Sequence, residues 1–321
     1  MNIRNFSRRI FAVSTFVALV PVALAEGESV DMTQDVQSEG LVSINVVRGR
    51  VSVEAWDKSA VRVHGTLDEK TKEFIFEVDG DETQIEVKID NDRDSWWGGG
   101  SQGSDLTVQL PAMSLLEVKG VSTDVDVQGM ESDVDIGAVS GDLNLVGGKG
   151  RVTVQSVSGD VDVRDVTGRL RIGTVSGDVD TQGINGEAKY TSVSGSILIR
   201  DGGDHMSVET VSGDIEVSND LVNSVAGHSV SGDIEVISQE TGLGDIEFDS
   251  VSGSIRLRLG GDINARFDIE TGSGAIRNRL SKDKPKVSKY VGDESLRFTM
   301  GNGDGSVVLS TRSGDINLSA N

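Results

Sequence analysis

The chain of 321 residues contains no cysteine, three prolines and 4% aromatic residues. Without cysteine no disulfide can staple the fold, and no lipid can be attached at an N-terminal thiol. The low aromatic content excludes a sugar-binding platform of stacked rings running along the molecule. Basic residues are also scarce, 30 against 52 acidic, which gives a net charge of −22. That sign argues against nucleic acid and anionic membrane as partners. Beyond the first 25 residues there is no long apolar run, so no integral membrane segment is expected after that point. Helical periodicity is missing as well.

The first 25 residues read as a secretory leader. Arg4, Arg8 and Arg9 form a basic start, Ile10 to Val20 an apolar centre, and Ala23-Leu24-Ala25 a cleavage site. The expected mature chain begins at Glu26, carries 52 acidic and 27 basic residues, and is exported to the periplasm or released.

Against these absences stands a repeat. From Ser122 to Ser212 the chain repeats every 18 residues: Val139-Ser140-Gly141-Asp142, Val157-Ser158-Gly159-Asp160, Val175-Ser176-Gly177-Asp178, Val193-Ser194-Gly195-Ser196 and Val211-Ser212-Gly213-Asp214. The spacing then loosens to Ser231, Ser252, Ser273 and Ser313. A weaker period of nine links Gly159, Gly168, Gly177 and Gly186. Nine residues cannot hold a helix and two turns, and the apolar positions are mostly Val and Ile, which favour strands. The expected fold is therefore all-β, a single-stranded parallel β-solenoid (β-helix) with flattened coils of about 18 residues, each of two halves of about nine.

In this reading Val157, Gly159, Val161 and Val163 line the inner face, while Ser158, Asp160, Asp162 and Arg164 face outward. Residues 26–40 form an N-terminal extension. Residues 41–120 are a less regular β region that coils the same way. Residues 121–321 are the regular solenoid, with a loop insertion near 280–290 in the basic stretch Lys282–Lys289 around Pro285. Gly141, Gly159, Gly177, Gly195, Gly213, Gly232, Gly253, Gly274 and Gly314 are the structural residues of the repeat, placed where a side chain would resist the bend. Stacking further places Asp142, Asp160 and Asp178 in one row beside Asp162 and Asp180. The opposite half-coil carries Arg151, Arg169, Arg171 and Lys189.

Patterns that resemble catalytic or metal motifs lack their context. Gly98 to Gly103 matches both the nucleophile elbow and the dinucleotide glycine fingerprint, but each needs a strand running into a helix. Asp90, Asp92 and Asp94 have EF-hand spacing, yet Ser95 stands where Gly is required and Ser101 where Glu is required. Gly147-Gly148-Lys149-Gly150-Arg151-Val152 approaches a calcium β-roll nonapeptide, with Val in the place of the ligand Asp. His64, His205 and His228 show no repeated acidic or Ser partner, and Trp56 reads as a packing residue at a coil edge. No catalytic residue, metal ligand or cofactor is expected. Trp96 and Trp97, beside three glycines, are the candidate contact points for a partner, an envelope protein or a glycan.

Four stretches then carry a resemblance: Gly49-Arg-Val-Ser-Val-Glu-Ala-Trp-Asp57, Asp105-Leu-Thr-Val-Gln-Leu-Pro111, the Val-Ser-Gly-Asp series, and Gly303 to Leu318. With them the chain resembles the bacterial putative-adhesin family of β-strand repeat proteins, a domain of unknown function. The resemblance implies a β-solenoid with no catalytic residues to carry over. The expected function is a non-enzymatic, adhesin-like binding or structural module of the cell envelope. The alternatives are a polysaccharide-active β-helix enzyme and a calcium-dependent binding module using the Asp rows.

Overall fold

The computed structural model describes residues 27–89, 103–220, 222–239, 244–289 and 292–321. All regular structure there is β: 24 strands join in one large, mostly parallel sheet with a solenoid-like course. The leader, the Asp90–Asp94 stretch and Trp96-Trp97 lie outside the described residues.

The middle of the molecule shows how the repeat becomes structure. Strand Val161–Ser176 pairs in parallel with Leu143–Ser158 on one side and Val179–Ser194 on the other. Its partners sit 18 residues away, so Asp162 meets Asn144 and Asp180, and Gly168 meets Gly150 and Gly186. Within one such strand the chain bends at Asp165 (φ 58°) and Gly168 (φ 127°). Val161, Val163, Val166, Leu170 and Ile172 are buried, and buried apolar residues at these positions on neighbouring rungs join one continuous core, with Thr181 and Gly148 as local exceptions.

Three expectations need correction. The first concerns the Val of each Val-Ser-Gly-Asp phrase. Val157 is 46% exposed, and Val139, Val175, Val193 and Val211 are exposed to a similar degree. The alternation loses phase at this corner because Ser156, not Val157, takes the inward place. Its Oγ is bonded 3.2 Å from the Gly159 carbonyl.

The second concerns the N-terminal region, which is not simply more coil. Strand Leu41–Trp56 pairs in parallel with Leu115–Gln128, and on its other side with Glu82–Ile89 and Ser104–Pro111. Around it the pairing is antiparallel: Ala60–Thr66 with Ser104–Pro111 and with Ser29–Asp35, and Thr71–Asp79 with Glu82–Ile89. For the last of these pairs the cause is local, since Gly80 (φ 66°) turns the chain straight back on itself. The buried Asp68 carboxylate ties this cap to the rung at Leu41–Trp56. It accepts from the Arg48 Nη2 at 2.8 Å and also contacts the Arg48 Nε.

The third concerns the C-terminal order. The rung after Ser252 is Ser313, not Ser273: strand Asp245–Ser252 pairs with Gly305–Ser313, and Ile255–Leu259 with Ile316–Ala320. Ala265–Thr271 stacks on the far side of Gly305–Ser313 and is closed by the antiparallel strand Glu294–Met300. The last stretch of chain thus slides between two earlier ones. The basic stretch is not all loop either, because Lys286–Val287 pairs with Glu294 and Ser295.

Candidate interaction surface

Each Val-Ser-Gly-Asp phrase turns one half-rung into the next, and stacking converts its letters into columns. Ser140, Ser158, Ser176, Ser194 and Ser212 register on one another. The Val column beside them is an exposed apolar ridge running from Val121 to Val251, every member between 39% and 48% exposed. Val47 continues it toward the N-terminal cap, and Arg312 ends it at the other cap.

The glycine column packs backbone on backbone. A Cβ built on Gly159 would lie 2.1 Å from the Gly141 carbonyl oxygen, and one on Gly177 2.2 Å from that of Gly159. Gly159 also sits at φ 149°. Its side chain would strike the neighbouring rung rather than the core. The column records the C-terminal reordering too, since Gly314 packs on Gly253 and Gly274 packs on Gly314.

The aspartate column has a structural duty that the sequence reading missed. The Asp160 backbone N–H donates to Asp142 Oδ1 at 3.1 Å, that of Asp178 to Asp160 Oδ1 at 2.9 Å, and that of Ser196 to Asp178 Oδ1 at 2.8 Å. The same bond recurs from Asp233 to Asp214 and from Ser254 to Asp233. These carboxylates replace ladder acceptors where the corner interrupts the sheet. At the C-terminal end the Ala275 N–H donates to Asp315, and this bond, with Arg277 beside it, holds the Asp315 carboxyl below its usual range. The available signal was the recurrence of Asp directly after most corner Gly residues, Gly141, Gly159, Gly177, Gly213, Gly232 and Gly314.

The two broad faces carry these residues in the expected columns, but the acidic face and partly basic face that the stacking of Asp162 and Asp180 against Arg151, Arg169, Arg171 and Lys189 led one to expect are not found: the signs interleave on both. Asp162 and Asp180 register on each other, as do Arg151 and Arg169, and Arg171 and Lys189. Arg164 and Arg200 sit on the acidic face and pair with Asp162 and Asp180, at 2.6 and 2.9 Å. On the opposite face Arg169 pairs with Glu187 and Lys189 with Glu209.

Two open grooves flank the ends of the ridge. One, about 360 Å³, lies among Asn45, Val47, Glu86, Lys88, Lys119 and Val121. The other, about 750 Å³, lies among Asp249, Val251, Glu270, Lys286, Val287 and Arg312.

His228 does have an acidic partner, Asp249 on the next rung at 3.2 Å, and Asp249 also accepts from the Ser310 hydroxyl. In that group the carboxylate stands between Ser and His, so the imidazole is not placed to take the hydroxyl proton. His64 lies half-buried in strand Ala60–Thr66, and His205 is exposed. Trp56 closes a turn, its Nε1 donating to the Ala60 carbonyl at 2.8 Å while Lys58 lies 4.5 Å above the ring. Among the described residues no group of three or more His, Asp or Glu could hold a metal ion. Also among them, no helix is long and apolar enough to cross a membrane.

Two overlapping stretches, residues 41–243 and 228–319, match the model of the family Toastrack DUF4097. No curated protein matches the sequence. Similar solved structures include a putative lipid binding protein from Parabacteroides distasonis ATCC 8503, 13% identical, with a TM-score of 0.41, covering 91% of this chain and 97% of that one. A putative adhesin from Bacteroides fragilis NCTC 9343 is 13% identical with a TM-score of 0.35, covering 93% and 100%. A putative cell adhesion protein from Clostridium sporogenes ATCC 15579 is 12% identical with a TM-score of 0.21, covering 92% and 100%. Likenesses at these scores carry no argument about activity.

Proposed function

The chain belongs to the Toastrack DUF4097 family, and from that premise we propose that it is a non-enzymatic, exported module of the bacterial cell envelope that binds or scaffolds through an extended surface. One observation carries this reading: the same exposed groups recur on successive rungs, a Val and a Ser at each corner from Val121 to Val251 and an acid after most of them. Catalysis needs different groups converging on one reacting atom. A repeated column instead offers one chemistry many times along a line, which suits binding of something long.

The finer architecture we infer is a flattened solenoid whose regular coil is 18 residues in two halves. The 18-residue register through the middle rungs supports it. Export rests on the basic, apolar and small-residue order of residues 1–25, with cleavage after Ala25. Trp96 and Trp97 remain the proposed partner contacts outside the repeat.

The test is incubation of the purified protein with extracted envelope polysaccharides and envelope proteins, scored for both retention and cleavage. Retention without new chain ends is the expected result. Release of shortened polysaccharide would overturn the non-enzymatic reading. Cell fractionation with an N-terminal sequence of the recovered protein tests export, and a chain retained in the cytoplasm starting at Met1 would overturn that part.

A further inference from the structure

Among the described residues nothing covers the exposed Val ridge. Its members from Val121 to Val251 are 39–48% exposed, on corners where every other apolar position points into the core. A contiguous apolar strip of this kind marks an interaction surface. We propose that it is the seam of a reversible homodimer, in which two copies lie side by side and parallel, ridge against ridge.

Pitch selects the occupant. Neighbouring Val residues sit one rung apart, about 4.8 Å. A helix laid along the ridge advances about 5.4 Å per turn and loses register by about 0.6 Å at each rung. A second copy has the same pitch, so each Val of one copy meets its own counterpart in the other along the whole ridge. An interface of this kind is isologous, one patch meeting itself about a two-fold axis.

Charge selects the orientation. The Asp column lies on one side of the ridge, three residues past every Val of the ridge except Val193 and Val251, where Ser196 and Ser254 stand. Asp142, Asp160 and Asp178 have their Oδ1 atoms on backbone N–H groups and no cation paired with them among the described residues. An antiparallel pair would bring two such acidic rows together on one side of the seam. A two-fold axis along the stack puts the Asp row of each copy beside the opposite edge of the other, where Lys119, Gly137, Gln155, Gly173, Thr191, Glu209, His228 and Asp249 follow one another, so that of the acids in the row only Asp214 meets another acid, Glu209. Parallel packing therefore avoids most of the repulsion.

Size selects the strength. The ridge is about 34 Å long at this pitch and about 10 Å wide, so about 350 Å² per copy. A standard stable interface takes about 800 Å² per partner. The flanking Ser column widens the strip toward the lower end of that scale. The dimer is accordingly weak, and because both copies are strongly acidic its formation strengthens as salt screens their repulsion.

Sedimentation velocity of the purified protein over a concentration series, at low and high sodium chloride, reads this directly. The expected result is a monomer–dimer equilibrium that shifts toward dimer at high salt. The triple variant Val157→Asp, Val175→Asp, Val193→Asp should raise the dissociation constant tenfold or more. These side chains are outside the core, and an unchanged circular dichroism spectrum checks the fold. The absence of native cysteine makes crosslinking clean. Val121→Cys should give a disulfide-linked dimer on mild oxidation, because parallel copies place this end residue against itself. A protein monomeric at every concentration and salt overturns the proposal. So does a dimer indifferent to the triple variant, one that weakens with salt, or one crosslinked through Val175→Cys but never through Val121→Cys.

Discussion

Gly159 and Ser158 are neighbours with opposite tolerances. Any side chain at Gly159 meets the Gly141 carbonyl at 2.1 Å and must also adopt φ 149°. Neither backbone can move without shifting its own neighbours, so Gly159→Val should cost about 3 kcal/mol or more. Ser158 is exposed at the corner, and Ser158→Val should stay within about 0.5 kcal/mol. Thermal or urea unfolding of the two variants checks this, and equal losses would refute the packing described for the corner. Tyr190 is a second informative residue. Its ring is buried, and its hydroxyl reaches across the interior to Thr181 at 3.1 Å. Burial pushes its pKa up to about 12 despite that bond. The unfolded chain then ionises first, so stability present below about pH 10 is lost as pH rises toward 12. Tyr190→Phe should flatten that alkaline decline, at the expense of the Thr181 partner.

At the level of the element, the corner carries the load. Each corner Asp supplies an acceptor to a backbone N–H one rung away. Asp160→Ala leaves the Asp178 N–H without it and should cost about 1 kcal/mol. Asp160→Asn keeps a carbonyl oxygen there and should cost less than half of that. A differential scanning experiment on the pair separates the hydrogen bond from the charge. If Asn proved as damaging as Ala, ionisation rather than acceptance would be what matters. Asp315 adds an acid limit. Its carboxyl is held low by the Ala275 N–H and then by Arg277. A depressed folded value contributes stability that is present above the unfolded carboxylate range and lost as pH falls through the folded one. The contribution of Asp315 should therefore fade as pH falls through and below the ordinary carboxylate range, and Asp315→Asn should remove part of that slope in an acid titration of stability.

For the whole molecule, chain order and spatial order part company at both ends. The rung built from Gly305–Ser313 and Ile316–Ala320 lies between Asp245–Leu259 and Ala265–Asn278. Deleting residues 305–321 would not shorten the stack by one terminal rung. It would remove a layer from inside and strand the C-terminal cap, including the stacked pair Phe267–Phe298. The expected outcome is loss of protection across 260–304 by hydrogen exchange and a steep fall in melting temperature. A deletion variant that kept that protection would contradict the pairing.

The repeat was legible because stacking demands it. Residues 18 apart share one environment, so Val161, Val179 and Ile197, or Gly159, Gly177 and Gly195, must be alike in kind. All-β class, period, glycine column and the placement of charges on two faces follow from composition and spacing alone. The corner could not be read the same way. Strand alternation assigns Val157 inward, but a bend resets the phase, and only the folded backbone shows Ser156 taking that place. Nor does spacing say that an Asp faces an N–H on the next rung, since that bond joins residues 18 apart across a turn. The insertions at 57–114 and 260–304 are the largest departure. A periodic code specifies what a rung looks like, not which rung it joins, so Ser273 and Ser313 were equal claimants to the place beside Ser252. The choice of Ser313 was made by long-range packing, which fills the gap between two rungs with the last strands of the chain.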